Sequence, residues 1–363
     1  MARTAVAVLF GGRSSEHSIS SATAGGVLRT ISRDRYRVIP IGITRDGAFV
    51  LEDDDPDKFA LDPARLPEVH DNGTRIVWPE SARSRELRVR DADGERSLGN
   101  VDVVFPILHG RFGEDGTIQG MLELLGLPYV GAGVLMSAIG MDKHTTKSVL
   151  RSAGVPVVPG ITVRQADWRR DRRVWEQRIR ALEWPVFVKP ARSGSSVGVS
   201  KVSAWEGLDE ALDVAFAEDA TVLVEQAVSG RELECGVLEG RAGGPPRVSV
   251  AGEIVITGRD FYDFEAKYLG APGIDLECPA SLRDGELAEM QRIAARAFEA
   301  VGGEGLARVD FFFTGTELFV NELNTMPGFT PISMFPKCWI ASGMTYPQLV
   351  EELIESGLAR GPR

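Results

Sequence analysis

The sequence predicts an α/β protein in which an N-terminal doubly wound α/β domain is followed by two α+β domains. Strand-like and helical patterns alternate through the first part of the chain, as is typical of a doubly wound sheet. From about residue 141 the pattern changes to short β-like runs separated by helices. A length of 363 residues suits two or three domains. We therefore expect domains at residues 1–140, 141–230 and 231–363.

The N-terminal domain is predicted from elements that follow one another in order. "TAVAVLF" is an apolar strand that ends at a Gly-Gly turn, a helix follows from about 20 to 31, and "YRVIPIGI" is a second strand. "VDVVFPIL" and the helical "GTIQGMLELLG" complete the alternation. Residues 46–100 are rich in charge and proline, so we expect a polar surface insertion there.

The two later domains have different patterns. In the central one, "MDKHTTKSVLRSAG" predicts a helix that ends at Gly154, and β-like runs follow near 157, 186, 197 and 221. The C-terminal one carries the strand "VSVAGEIVI", the long helix "GELAEMQRIAARAFEAVG" and the strand-like runs "LARVDFFF" and "ELFVNEL".

Composition excludes several classes of protein. The net charge of -11 argues against a nucleic-acid or anionic-membrane partner, which would require a basic surface. No run approaches the ~18 apolar residues of a membrane span. The apolar N-terminus continues into Gly-Gly and polar residues instead of a signal-peptide cleavage site. Cys235, Cys278 and Cys338 are odd in number and lack metal-ligand spacing, so we expect free thiols and a cytoplasmic protein.

The stretch "VFVKPARSGSSVGVSKV" allows two interpretations. "GSSVG" matches the nucleophile elbow of a serine hydrolase with Ser196 as nucleophile. However, all four histidines precede Ser196, and the following residues alternate like a strand. Alternatively, Lys189 ends a buried strand, and the Gly/Ser loop after it folds its backbone N–H groups over a polyanion. An ordinary hairpin loop explains this segment alone equally well.

The last two strand-like runs predict a cluster of polar side chains. Arg308 and Asp310 share one face of a strand because they are two residues apart, and Glu322 and Asn324 repeat this spacing. If the runs form a hairpin around Gly315, Asp310 lies opposite Glu322. Oxygen ligands of this kind suit a hard divalent cation such as Mg²⁺. A solvated face with cross-strand ion pairs is the alternative for the hairpin alone.

Together these segments resemble a known family. The chain lacks a P-loop, yet it has two lysines, a Gly/Ser flap and a carboxylate cluster in an order that resembles the ATP-grasp superfamily. Within it the sequence is similar to the D-alanine–D-alanine ligases over essentially its whole length. The matching motifs are "GGRSSEHSIS", "LHGRFGEDGTIQGMLELLGLPYVGAG", "MDKHTTK", "VFVKPARSGSSVGVSK", "FYDFEAKY", "RVDFFF" and "NELNTMPGFTPISMF". The resemblance implies an ATP-grasp fold, with the central and C-terminal domains clasping ATP.

The resemblance also implies a nucleotide and metal site. Lys143, Lys189 and Lys267 contact phosphates, and the flap Ser193, Ser195, Ser196 and Val197 covers them. Glu225 and Glu232 hold the adenine amino group and the ribose, with backbone groups near Gln226 and Val228. Asp310, Glu322 and Asn324 bind two Mg²⁺, which Mn²⁺ can replace.

The substrate residues follow from the same resemblance. Glu16 receives the ammonium of the first D-alanine, and His109 lies beside that substrate. Arg308 and the Gly328 amide stabilise the acyl phosphate and the tetrahedral oxyanion. Ser333 and the Met334 amide bind the carboxylate of the second D-alanine. Ser195 bridges Glu16 and Tyr268, which makes it a latch over the substrates instead of a nucleophile.

The implied reaction is ATP-dependent joining of two D-alanines, through D-alanyl phosphate, for peptidoglycan precursor synthesis. A relative that joins D-alanine to D-lactate or D-serine is the nearest alternative, and Tyr268 favours the dipeptide because lactate enzymes have phenylalanine or lysine there. A non-enzymatic nucleotide-binding protein would have lost metal ligands or the arginine, and all are present. The family is usually dimeric, so a homodimer is expected.

Overall fold

The computed structural model describes residues 3–60, 62, 66–194, 196–256 and 273–361. The strands are β1 Thr4–Gly11, β2 Tyr36–Ile43, β3 Phe49–Leu51, β4 Arg75–Val77, β5 Glu86–Asp91, β6 Gly94–Asn100, β7 Val103–Pro106, β8 Gly160–Arg164, β9 Val186–Pro190, β10 Ser200–Val202, β11 Thr221–Gln226, β12 Arg231–Leu238, β13 Arg247–Ile256, β14 Ile274–Glu277, β15 Leu306–Phe313 and β16 Leu318–Asn324. The α-helices are α1 His17–Thr30, α2 Thr117–Leu124, α3 Val134–Met141, α4 Lys143–Ser152, α5 Gln165–Arg170, α6 Arg172–Arg180, α7 Leu208–Glu218, α8 Asp284–Ala300, α9 Met334–Ala341 and α10 Tyr346–Arg360.

The N-terminal sheet has the strand order β3-β2-β1-β7. Its central strand β1 is parallel to both β2 and β7, and its apolar residues are almost fully buried, as expected for a strand covered on both faces. Residues 46–100 add β3 to the edge of this sheet and form a separate sheet β4-β5-β6. Leu87 and Val89 of that smaller sheet are buried, so this segment has its own apolar face despite its polar composition.

The central and C-terminal sheets are antiparallel at every pairing recorded among the described residues. The central sheet has the order β10-β9-β11-β8, and the C-terminal sheet has the order β14-β13-β12-β15-β16. The predicted hairpin is confirmed, since β15 pairs with β16 and places Asp310 opposite Glu322 and Arg308 opposite Asn324. The strand expected after Ser196 is also confirmed, because β10 pairs with β9.

Contacts between the sheets bring the predicted polar residues to one region. The amide of Lys143, at the start of α4, donates to the carbonyl of Ala191 at 2.9 Å, just after β9. Val157 forms an isolated bridge to Val320, which joins the central segment to β16. Phe329 packs in the same core as β1 and β7, so the loop before α9 lies against the N-terminal sheet. Within the described part of the chain, no helix has the length and apolar character needed to cross a membrane.

Candidate active site

The flap and Lys143 lie at the junction of the central and C-terminal sheets. Lys143 Nζ donates to the carbonyl of Ser193 at 2.8 Å and lies 3.5 Å from the Glu322 carboxylate. The flap is closed on itself, because the amide of Val197 donates to Gly194 at 3.1 Å and the Ser193 hydroxyl donates to the Val197 carbonyl at 3.1 Å. Lys143 therefore links the flap to the Glu322 carboxylate of the hairpin.

A buried cluster of two lysines and a glutamate lies beneath the flap. Glu225 is 2% exposed and pairs with Lys147 through one oxygen and with Lys189 through the other, the latter at 2.5 Å. Lys189 Nζ also donates to Asn321 Oδ1 at 3.2 Å. Although burial alone would raise the pKa of Glu225, the two lysines lower it. The carboxylate predicted to receive adenine is thus also the counter-ion of the phosphate lysine.

Lys147 was not among the sequence-predicted residues. It lies four residues after Lys143, so both are on neighbouring turns of α4. Burial lowers the pKa of Lys147 to about 7, although Glu225 opposes this shift. The signal that could have identified Lys147 is the i,i+4 spacing of the two lysines in "MDKHTTK", which places both on the same face of a helix.

The hairpin of β15 and β16 holds a compact group of charges. The Arg308 guanidinium binds both oxygens of Asp310 at 2.7 Å and lies 3.1 Å from Glu234 on β12. Asn324 donates to Asp310 at 2.9 Å. Burial alone would lower the pKa of Arg308, but Asp310 and Glu234 raise it well above its usual value. Arg308 is therefore a permanent cation at this site.

The donors on this hairpin fit a hard divalent cation. Asp310 and Glu322 are opposed carboxylates, and Asn324 adds an amide oxygen on the same face. Among the residues that the structure describes, no group of three or more His, Cys, Asp and Glu side chains forms a metal cluster. The candidate donors are therefore the carboxylates of Asp310 and Glu322 and the amide oxygen of Asn324. Both oxygens of Asp310 accept from Arg308, and one of them also accepts from Asn324.

Glu16 lies where the flap approaches the N-terminal domain. Glu16 directly precedes α1 and is 7% exposed. Its carboxylate is so close to Gly110 that a Cβ on that glycine would lie 2.6 Å from Glu16 Oε2. A Cβ on Gly194 of the flap would lie 3.4 Å from the same oxygen. The predicted ammonium-binding carboxylate therefore lies between Gly110, which directly follows His109, and Gly194 of the flap.

His109 is buried as a neutral imidazole near Glu16. Its Nδ1 lies 2.9 Å from the carbonyl of Met326, so Nδ1 carries the proton, and the Thr23 hydroxyl donates to Nε2 at 3.3 Å. Burial lowers the pKa of His109, although Glu16 opposes this shift. This histidine connects the N-terminal domain to the loop after β16.

Glu114 is a further site residue that the sequence analysis missed. Its carboxylate accepts from the amide of Gly110 at 2.5 Å and from the amide of Met326 at 3.2 Å. Burial and the nearby Glu16 raise its pKa to about 8. The signal that could have identified Glu114 is the acidic pair in "GEDG", four residues after His109 in "LHGRFGEDG".

The remaining substrate residues lie in the loop before α9. The Ser333 hydroxyl contacts the Thr330 hydroxyl at 2.8 Å, and a Cβ on Gly328 would lie 3.2 Å from Ser333 Oγ. Gly328 and Ser333 are therefore neighbours across a tight loop. The Met334 side chain is buried, so only its amide is offered at the start of α9.

Other predicted residues lie at or near the ends of β11 and β12, or outside the described residues. Gln226 ends β11, where its amide donates to Pro159 at 3.0 Å; Val228 follows it, and Glu232 lies on β12 opposite Phe312. Ser195, Lys267 and Tyr268 lie outside the described residues. Ser196 has a left-handed backbone, with φ of 60°, but a turn and then β10 follow it, so the helix required by a hydrolase elbow is missing.

Comparison with known proteins gives one family. Models of the D-ala D-ala ligase N-terminus and C-terminus match residues 5–132 and 149–355. A D-alanine--D-alanine ligase of Paenarthrobacter aurescens is 50% identical over 362 residues, which cover 99% of this chain and 96% of the relative.

Solved structures agree with this result. The VanG D-Ala:D-Ser ligase from Enterococcus faecalis has a TM-score of 0.84 at 32% identity, covering 98% of this chain and 100% of that one. The D-alanine-D-alanine ligase from Coxiella burnetii has a TM-score of 0.78 at 35% identity, covering 99% of this chain and 94% of that one. The chain therefore belongs to the D-alanine–D-alanine ligase family and has its ATP-grasp fold.

Proposed function

We propose that this protein joins two D-alanines to D-alanyl-D-alanine, with ATP converted to ADP and phosphate, through a D-alanyl phosphate intermediate. The observation that carries the proposal is the hairpin of β15 and β16, where Arg308, Asp310, Glu322 and Asn324 share the region of Lys143. Lys143 in turn contacts the Ser193 carbonyl of the flap. Cations and oxygen donors for a polyphosphate thus meet beside Glu16, a buried carboxylate suited to an ammonium group.

Activation of the first D-alanine requires phosphate and ammonium binding at neighbouring points. Lys143 and Lys189 neutralise the phosphates while the flap from Ser193 to Val197 covers them with backbone N–H groups. Glu16 holds the ammonium, which turns the substrate carboxylate toward the phosphoryl group. Neutral His109 lies beside this carboxylate and adds no competing charge.

Stabilisation of the intermediate falls to Arg308 and the amide of Gly328. Negative charge gathers on the oxygen of the acyl group when the amine attacks, and a fixed guanidinium and a backbone N–H stabilise it. Arg308 is suited to this because Asp310 and Glu234 fix its orientation. Water would hydrolyse an acyl phosphate, so the flap also has to exclude solvent.

Asp310, Glu322 and Asn324 are the residues that would hold the divalent metal, and we propose that they bind two Mg²⁺ ions. When bound, the metal supplies neutralising charge to the phosphate oxygens. The carboxylate of Glu322 also positions Lys143. The lysine lies 3.5 Å from it and is thereby kept next to the flap.

The second substrate decides between the members of the family. Ser333 and the amide of Met334 are proposed to bind its carboxylate, which D-alanine, D-serine and D-lactate share. A solved relative acts on D-Ala and D-Ser according to its name. Tyr268 and Ser195 lie outside the described residues, and we retain from the sequence that Tyr268 favours the dipeptide, with Lys267 on the transferring phosphoryl group.

We further propose the domain boundaries given above, a homodimer and a cytoplasmic location. The cytoplasmic proposal is supported by three cysteines that remain free thiols. Adenine would lie at the ends of β11 and β12, near Glu225, Gln226, Val228 and Glu232.

The test is to incubate the protein with ATP, Mg²⁺ and D-alanine and to measure ADP, phosphate and dipeptide together. We expect all three in equal amounts, and no turnover with L-alanine. A parallel incubation with equal D-alanine, D-serine and D-lactate should yield mainly D-alanyl-D-alanine. An excess of D-alanyl-D-serine or D-alanyl-D-lactate would show that D-alanine is not the preferred second substrate. ATP hydrolysis without any coupled product would refute the ligase proposal.

A further inference from the structure

Two cysteines form a close pair between β14 and α9. Cys278 directly follows β14 and Cys338 lies within α9, so the two are 60 residues apart in sequence. Their Sγ atoms are nevertheless 3.8 Å apart, and both thiols are free. Ile254 and Met334 pack around them in a small apolar cluster. Nothing in the proposed ligase reaction uses this pair.

The two thiols differ in access and in acidity. Cys278 is partly exposed between two exposed neighbours, whereas Cys338 is fully buried. A hydrogen bond with Cys338 and the nearby Lys337 ammonium lower the pKa of Cys278, and the pKa of Cys338 is raised by the same hydrogen bond and by burial. A small oxidant therefore reaches Cys278, the more acidic thiol, first. The sulfur of Cys338 is close enough to react with the oxidised Cys278.

We propose that Cys278 and Cys338 are an oxidisable dithiol, which hydrogen peroxide converts into an intramolecular disulfide that displaces the start of α9. The Cys278 thiolate attacks one peroxide oxygen, the O–O bond breaks, and sulfenic acid and hydroxide form; the hydroxide takes up the thiol proton to give water. The Cys338 sulfur then attacks the sulfenic sulfur, its proton leaves with the hydroxyl group as a second water, and the S–S bond closes. Two thiols are oxidised and one peroxide is reduced.

The disulfide requires a movement that reaches the substrate loop. An S–S bond is about 2.05 Å long, so the sulfurs must approach by well over an ångström from 3.8 Å. Cys338 and Met334 are four residues apart on α9, and both pack in the same cluster. Movement of Cys338 therefore shifts Met334 and Ser333, where the second substrate is proposed to bind. This kinetic consequence rests on the proposed function.

The chemical part is tested by treating the reduced protein with hydrogen peroxide and measuring intact and peptide masses. We expect a loss of two hydrogen atoms, a peptide linking Cys278 to Cys338, and a fall in titratable thiols from three to one, all reversed by dithiothreitol. The variants C278S and C338A should lose the link, whereas C235A should keep it. Added oxygen on Cys278 without a link, or a link between two chains, would overturn the proposal.

The kinetic part compares reduced and oxidised protein. Oxidation should raise the KM for D-alanine at the second site and leave the KM for ATP unchanged, and peroxide should change neither constant in C278S. Equal D-alanine constants in fully cross-linked and reduced protein would refute the displacement of α9. If the reduced protein makes no dipeptide, the ligase proposal fails instead, because the mass shift is measured independently of activity.

Discussion

At the scale of single residues, the site depends on charges that are held by named partners. Arg308 is fixed by two carboxylates, Glu225 by two lysines, and His109 by a carbonyl and a hydroxyl. Each of these side chains is enclosed, so its charge acts in a medium of low polarity and is strongly felt by its neighbours. We therefore expect substitutions of these side chains to change the electrostatics of the site.

Glu322→Gln tests the proposed metal ligand. The change keeps the side-chain shape but removes a negative charge from a hard-cation site and from Lys143, 3.5 Å away. We expect turnover to fall at least ~100-fold at limiting Mg²⁺, the scale for loss of one charge-stabilising group. The matched control is Glu317→Gln, an exposed carboxylate in the turn of the same hairpin, which should have ordinary activity. Normal turnover of the Glu322 variant over a Mg²⁺ titration would show that this carboxylate holds no metal.

Glu114→Gln tests the carboxyl group with the raised pKa. A group whose pKa is raised to about 8 in the folded state binds its proton more tightly there than in the unfolded chain, where the pKa is about 4.3. Its contribution to stability is therefore complete below the unfolded value and is lost as the pH rises to about 8. Glutamine does not titrate. We therefore expect the melting temperature of the wild type to fall relative to that of the variant as the pH rises over this range.

Thermal unfolding of both proteins at a series of pH values measures this difference. Glu317→Gln again serves as the control, because its exposed carboxylate should leave the pH dependence unchanged. A constant difference between wild type and Glu114→Gln at all pH values would mean that Glu114 titrates normally.

At the scale of elements, local sequence patterns predicted which segments form strands and helices better than they predicted the residues at which these elements begin and end. The register of β15 and β16 followed from two residue pairs with a spacing of two and a glycine turn. The strand expected near 157 begins at Gly160 instead, and Val157 forms an isolated bridge to Val320. That contact is made by a distant segment, which the local pattern does not contain.

The missed site residues have the same explanation. Lys147 and its partner Glu225 are 78 residues apart, and Glu114 and Met326 are 212 residues apart. A lysine on a helix is most often exposed, and only the packing of α4 against the central sheet shows that Lys147 is buried. All residue roles taken from the family resemblance remain predictions. Ser195, Lys267 and Tyr268 also lie outside the described residues.

Lys147→Met tests how α4 is joined to β11. Removing one partner of a buried ion pair leaves charge uncompensated and typically costs ~3–5 kcal/mol. Because Glu225 keeps Lys189, we expect a loss at the low end of this range in urea unfolding, and a raised KM for ATP as Glu225 and Lys189 lose their fixed position. Lys201→Met, an exposed lysine on β10, should change stability by no more than ~0.5 kcal/mol. Equal stability of the two variants would mean that the buried cluster contributes nothing to holding α4.

At the scale of the whole molecule, the proposed active site takes its residues from three sheets. The N-terminal domain contributes Glu16 and His109, the central sheet contributes Lys189 and the flap, and the C-terminal sheet contributes Arg308 and the oxygen donors. No single sheet binds all parts of the proposed substrates. The parallel strands of the N-terminal sheet and the hairpin of β15 and β16 could be predicted because their patterns are local. The way the sheets meet depends instead on contacts such as His109 with Met326, 217 residues apart.

The proposed site activates a D-alanine carboxylate by transferring a phosphoryl group to it. D-Alanine labelled with ¹⁸O in its carboxylate tests this directly, with the released phosphate analysed by mass spectrometry. In the proposed reaction one carboxylate oxygen becomes the bridging atom of D-alanyl phosphate and leaves with the phosphate when the amine attacks. We therefore predict one ¹⁸O in each phosphate and one phosphate per dipeptide. Unlabelled phosphate, or label found in AMP, would contradict the account.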